Sequence, residues 1–313
     1  MHVVGIGQCS LDYLAIVDSY PRPDTKKEVI EWHEQSGGPV ATALVALSRL
    51  GMQCRFFGIT GDDDTEKKIR DSLAAEKIDT QGLLRRSAGI SQLAFIVIEK
   101  GTAGRTIFWQ RPSGEPLKPE ELDDNFLDDC SFLILDGLMS DVSIYAAAKA
   151  RKRKIPVMLD AGRARPGMLE IARLSDYLVT AEEFAVDLGW SLTQKALQEE
   201  KKRLGVKVLT VTQGNLGSIT VTDNQSFHVP AFHVNALDTT GAGDVFHGGY
   251  IYGILQGWDL RDTVTFASAI AAMKCRKIGG RAGIPTFNEI RQFLQERGFP
   301  LLKDWRDPDS SRF

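Results

Sequence analysis

Phe132-Leu133-Ile134-Leu135, Val157-Met158-Leu159, Tyr177-Leu178-Val179 and Val208-Leu209-Thr210-Val211 are four short apolar runs in the middle of the chain. Each is too short for a helix, so each reads as a strand buried on both faces. Stretches with helical spacing separate them, at 143–153, 169–172, 182–188 and 192–204. Strands alternating with helices imply an α/β fold, a mostly parallel sheet covered by helices on both faces.

Towards the N-terminus, 3–6 and 54–59 add strands of the same kind, with helices expected over 40–50 and 65–75. Asp62-Asp63-Asp64 suits the positive end of the second helix. The segments 11–17, 28–33, 93–98 and 105–109 differ, because apolar and polar residues partly alternate in them. The last two read as a hairpin around Gly101 and Gly104. Being interleaved with the α/β units, they are expected to form a β lid from about 11–35 and 90–111 on a single domain spanning 1–302. The C-terminal third reads as helical at 243–256, 260–275 and 286–296, with a polar tail over 303–313.

Lys and Arg number 38 against 41 Asp and Glu, a net charge of −3. That balance argues against a nucleic-acid partner. Cys9, Cys54, Cys130 and Cys275 are widely spaced, which disfavours a zinc site or disulfide framework and suits a cytoplasmic location. No signal peptide and no membrane span are expected. The basic run 149–154 falls at a helix C-terminus, where cations complement the dipole.

Chemistry concentrates in Asp238-Thr239-Thr240-Gly241-Ala242-Gly243-Asp244. Gly241 and Gly243 leave backbone N–H groups uncovered beside the start of a helix, where an anion is favoured. Asp244 would lie in the first turn, placed to accept a hydroxyl proton opposite a phosphoryl group. No G-x-x-x-x-G-K-[ST] occurs, which excludes P-loop chemistry. Gly5-Ile6-Gly7 begins like a dinucleotide fingerprint, but position 10 is Ser and a strand follows, so a Rossmann reading fails.

The 238–244 run resembles the D-T-x-G-A-G-D signature of the PfkB, ribokinase-like, carbohydrate kinases, and the resemblance extends from Gly5 to Pro285. It implies a three-layer α/β sandwich with a β-sheet lid. It also implies that Asp244 is the catalytic base and that Gly241, Ala242 and Gly243 form an anion hole. A second signature resembles Gly37-Gly38-Pro39-Val40-Ala41-Thr42, with Thr42 where many members have Asn. The resemblance assigns Asp12, Gly37, Gly38 and Thr42 to the sugar. Lys26, Arg105 and Gln110 on the lid are further candidates to hold it, as are Arg163 and Arg165 after Asp160 for an anionic substrate. Thr212, Gly214 and Gly217 resemble the turn that lines ATP phosphates, and Ala271 and Gly280 fall in the region that makes the adenine pocket.

Magnesium is implied with the nucleotide. The family's N-x-x-E motif is altered here to Ala181-Glu182-Glu183-Phe184, and the resemblance implies Glu183, or Glu182, as the candidate ligand. Asp238 and Thr240 would neighbour a potassium ion. In motif detail the chain is most similar to the ketose-directed branch, including ketohexokinase and sulfofructose kinase. The expected activity is ATP-dependent phosphorylation of a primary hydroxyl of a ketose or related small sugar. A nucleoside kinase of the same fold and an inactive sugar-sensing protein are the alternatives. Apolar residues on the lid strands, including Leu14, Ile16, Ile30, Phe95 and Val97, predict a homodimer through the lid.

Overall fold

The computed structural model describes residues 2–299, so the expected polar tail at 303–313 lies outside the described residues. In chain order the elements begin with β1 (His2–Ile6), β2 (Ser10–Val17), β3 (Glu31–Gly37), α1 (Pro39–Arg49), β4 (Gln53–Thr60) and α2 (Asp64–Ala75). Then come β5 (Ile78–Asp79), β6 (Leu83–Arg85), β7 (Leu93–Glu99), β8 (Arg105–Gln110), β9 (Cys130–Leu135) and α3 (Ser140–Lys152). β10 (Val157–Ala161), α4 (Met168–Leu174), β11 (Tyr177–Ala181), α5 (Glu182–Asp187), α6 (Gln194–Leu204) and β12 (Val208–Thr212) follow. The chain closes with β13 (Ser218–Val221), β14 (Ser226–Val229), α7 (Ala242–Leu255), α8 (Leu260–Lys274) and α9 (Phe287–Gln295).

The four apolar runs are neighbouring parallel strands of one sheet, ordered β14-β13-β12-β11-β10-β9-β1-β4-β5, with β6 beside β4. Because strand side chains alternate, Phe132 and Ile134 enter the core under α1, α7 and α8, while Leu133 and Leu135 enter the opposite core under α3 and α4. This is the expected three-layer sandwich. β1 and β9 lie side by side, and the order runs away from them in both directions, which opens a crevice at their C-terminal ends. The antiparallel hairpin β13–β14 extends one edge and was not anticipated from the sequence.

A separate four-stranded sheet, ordered β3-β2-β7-β8, forms the lid. The third strand needs correcting, from 28–33 to Glu31–Gly37. Its register with β2 sets Ser10 opposite Gly37, so the strand must run straight into α1. The two faces of the lid are unlike. On the inner face Leu14, Ala94, Ile96 and Ile98 are buried and meet Ile278. On the outer face Trp32, Phe95 and Phe108 are 61%, 48% and 55% exposed.

Candidate active site

The 238–241 turn is fastened from below. Asp238 is fully buried, and its carboxylate accepts the N–H groups of Thr240 at 2.8 Å and Gly279 at 2.7 Å. Gly241 sits at φ +73, and a Cβ there would come within 2.9 Å of Gly280. Only glycine meets both conditions. α7 starts immediately afterwards, which puts Asp244 in its first turn. The Ala242 N–H closes onto the Thr239 carbonyl at 3.2 Å. Among the described residues the Gly241, Gly243 and Asp244 N–H groups have no protein acceptor, so within the expected 241–243 set only Ala242 is closed, and Asp244 adds a donor.

Asp244 keeps an edge open to the cleft. Burial pushes its carboxyl up to about 6, with Asp160 adding to the rise and His247, Arg105 and Arg281 opposing it. Such a group is ionised at neutral pH yet basic enough to take a proton. His247, one turn on, is buried against the Gly243 carbonyl at 2.6 Å and the Val179 carbonyl at 3.2 Å, with Asp160 at 3.5 Å. It ties α7 to the sheet.

Across the cleft, Asp12 on β2 accepts the Ser10 hydroxyl at 2.6 Å. A Cβ on Gly37 would fall 2.1 Å from its carboxylate, and one on Gly38 would fall 2.3 Å from the Gln8 carbonyl. The Gly-Gly pair therefore exists to let Asp12 and the end of β1 approach α1. Burial raises Asp12 to about 6, eased by Ser10 and Arg281 and reinforced by Asp244. The Asp244 charge thus reaches Asp12.

Arg281 is the main residue that sequence reasoning missed. It is 3% exposed and donates to the Gly37 carbonyl at 2.9 Å and to the Thr42 hydroxyl at 3.3 Å. Its own N–H bonds Gln35 on β3 at 2.7 Å. One residue thus joins the lid, the Gly-Gly turn and the 279–281 turn. Burial lowers its guanidinium to about 10, still charged at neutral pH. Asp136 was missed too; it closes β9 and accepts the Gln8 N–H at 2.7 Å. The signal for it was an Asp directly ending a buried apolar run.

Several expected contacts sit elsewhere. Arg105 donates to the Thr239 hydroxyl, which ties the lid strand β8 to the 238–241 turn. Thr42 is occupied as an acceptor by Arg281. Lys26 lies exposed in the β2–β3 loop and is not brought to the other site residues, and Gln110 is exposed at the end of β8. Gly280 lies against Gly241, beside the transfer turn. Ala271 packs partly buried on α8. Thr212 bonds the Thr180 carbonyl at 3.3 Å. Gly217, at φ +96, would place a Cβ 2.1 Å from the Val229 carbonyl, which keeps the 213–217 turn folded under β14.

For metals the two expectations divide. Among the described residues no three His, Cys, Asp or Glu side chains cluster as a metal cage, and Glu183 is exposed at the start of α5. A thin donor set fits Mg²⁺, which keeps its waters and phosphate oxygens. At the position expected for potassium, the Thr240 hydroxyl oxygen is buried without a hydrogen-bond partner, while Asp238 is already engaged. Both Asp238 carboxylate oxygens are taken by N–H groups, and its carbonyl accepts the fully buried Lys274 ammonium at 2.9 Å. The chain supplies its own cation there.

The profile of the pfkB family carbohydrate kinases matches residues 1–287. The chain belongs to the pfkB carbohydrate kinases. A fellow kinase, 5-dehydro-2-deoxygluconokinase of Clostridium botulinum, is 27% identical, with 94% of this chain and 93% of the relative aligned. Ribokinase of Haemophilus influenzae is 26% identical, over 93% of this chain and 97% of that one. The solved ribokinase of Thermotoga maritima superposes with a TM-score of 0.78 at 29% identity, covering 94% of this chain and 99% of the other. As in the family, the enzyme class is phosphotransfer to an alcohol group. No described helix of this pfkB kinase is long and apolar enough to cross a membrane.

Proposed function

We propose that the protein transfers the γ-phosphoryl group of ATP to a primary hydroxyl of a small sugar, a ketose or ketose derivative. The observation that carries the transfer is Asp244, a carboxyl raised to about 6 whose own N–H and that of Gly243 point from the start of α7 without a protein acceptor. Asp12 and the Gly37-Gly38 turn hold sugar hydroxyls. Asp244 takes the proton of the attacking hydroxyl as the new O–P bond forms. The bond to the β-phosphate oxygen breaks, and ADP leaves. The Gly243 and Asp244 N–H groups and Arg105 stabilise the charge on the moving phosphoryl group. Magnesium bound with the nucleotide would neutralise phosphate charge, and Glu183 or its neighbour Glu182 would be the carboxylate that helps hold it. Support for a ketose is the motif detail at 37–42, 241–248 and 279–285.

ADP release over ketoses, aldoses, hexose phosphates and nucleosides tests the reading. Turnover is expected with a sugar and should fall about 10³-fold in Asp244→Asn. Turnover unaffected by that change would remove Asp244 from its role, and a nucleoside as best substrate would favour a nucleoside kinase. Sugar binding without any turnover would favour the sensor. The exposed outer lid face supports a lid-to-lid homodimer, and a monomer in light scattering at micromolar protein would refute it.

A further inference from the structure

Beyond the transfer site, the C-terminal ends of β9 and β10 open into a groove of about 670 Å³ lined by Arg111, Leu138, Ser140, Arg163 and Arg165. It adjoins the cavity beneath Gly7 and Gln8, which Arg111 and Leu138 also line. Of the three arginines, Arg163 is committed, paired with Asp187 at 2.8 Å. Arg111 and Arg165 form no ion pair among the described residues. Both guanidiniums instead lie over one indole, 5.1 Å and 5.7 Å from the centre of Trp109 on the lid strand β8. The Arg165 Nη1 atom is buried with no hydrogen-bond partner.

This arrangement is costly by itself. Two like charges are drawn to the same ring, and a buried charged donor is left unmet. A cation over a ring regains only about 0.5–2 kcal/mol. Arg165 senses Arg111 and Arg163 as repulsive neighbours and only Asp136 as an attractive one, while burial also lowers its guanidinium. An oxyanion arriving in the groove would offset all of this at once. Guanidinium forks match carboxylate, phosphate and sulfonate oxygens in pairs.

We propose that the substrate carries an oxyanionic group, which Arg111 and Arg165 grip against Trp109 at the end of the cleft remote from Asp244. Asp244 lies under the field of Arg105 and Arg281, and Asp136, next in sequence to the groove-lining Gly137 and Leu138, interacts with both Asp244 and Arg165. The sugar would span them, with its reactive hydroxyl at Asp244 and its anion in the groove. This deepens the kinase reading and rests on it.

The test uses matched pairs: a neutral ketose against its 6-phosphate, its 6-sulfonate and its carboxylate counterpart, each assayed for ADP release by the full-length protein. At least one anionic member should exceed its neutral partner about thirtyfold in kcat/KM, mainly through KM. The preferred arm identifies the oxyanion. In Arg165→Met, and separately in the exposed Arg111→Met, that preference should collapse towards unity. Calorimetric titration of the preferred sugar without nucleotide should lose affinity in the same two variants. Asp244-dependent turnover with no preference for any anionic member overturns the anion groove while leaving the kinase reading intact. An equal loss on neutral and anionic sugars in both variants overturns it as well. Absence of turnover on every sugar overturns the kinase reading, and the groove proposal with it.

Discussion

Two sets of basic side chains flank the cleft, and their partners set them apart. Arg281 and Lys274 are buried, and their side-chain hydrogen bonds go to backbone carbonyls and hydroxyls of the segments they join. Arg105, Arg111 and Arg165 stand at the cleft edge; the first reaches a single threonine, and the other two are stacked on an indole and form no ion pair among the described residues. The same charge builds the scaffold in one place and waits for a ligand in the other. Counting what each group already holds is enough to tell the roles apart.

The difference can be broken most forcefully at Arg281. Arg281→Met should cost about 2–4 kcal/mol of folding stability in urea denaturation, since it strands the Gly37 carbonyl and removes the side-chain bonds to Thr42 and Ser72, while the main-chain bond to Gln35 stays. Arg281→Lys should recover part of that. A loss under about 0.5 kcal/mol, the range of ordinary surface changes, would mean that Arg281 holds nothing together.

Arg105→Met should leave stability within about 0.5 kcal/mol and lower kcat about tenfold. It should also move the pH profile. Arg105 holds the Asp244 carboxyl down, so its removal raises that group further above the usual aspartate range. The base is protonated, and activity lost, as pH falls through about 6 in the wild type, and the variant should fail at a higher pH. An unmoved acid limb would detach Arg105 from the transfer site.

The smallest expected effect is none at all. Lys274 already occupies the Asp238 carbonyl, so turnover in potassium and in sodium buffers should agree within about twofold. A large activation by potassium would show that the ammonium does not fill that place.

The layered fold was legible because β9 to β12 are short, apolar and regularly spaced, and burial on both faces leaves that mark directly in the sequence. Asp244 was legible because its turn and helix start are contiguous. Arg281 was not, because its partners Thr42 and Gly37 lie 239 and 244 positions away and nothing local distinguishes a buried arginine from a solvated one. The start of β3 was misjudged because Glu31-Trp32-His33-Glu34-Gln35 is polar on both faces, so only its pairing with β2 sets the boundary. Lys274 hid in an alanine-rich helix, where a lysine normally reads as surface.

β8 has one further consequence. Arg105 and Trp109 are four residues apart and project from the same side of the strand, the first onto the transfer turn and the second onto the arginines. A strand advances about 3.3 Å per residue, so these two contacts are held about 13 Å apart by a backbone that cannot stretch. The lid therefore acts as a gauge. A compound touching both ends must have a particular length, and a shorter one leaves one end of the strand unsupported however well its hydroxyls fit.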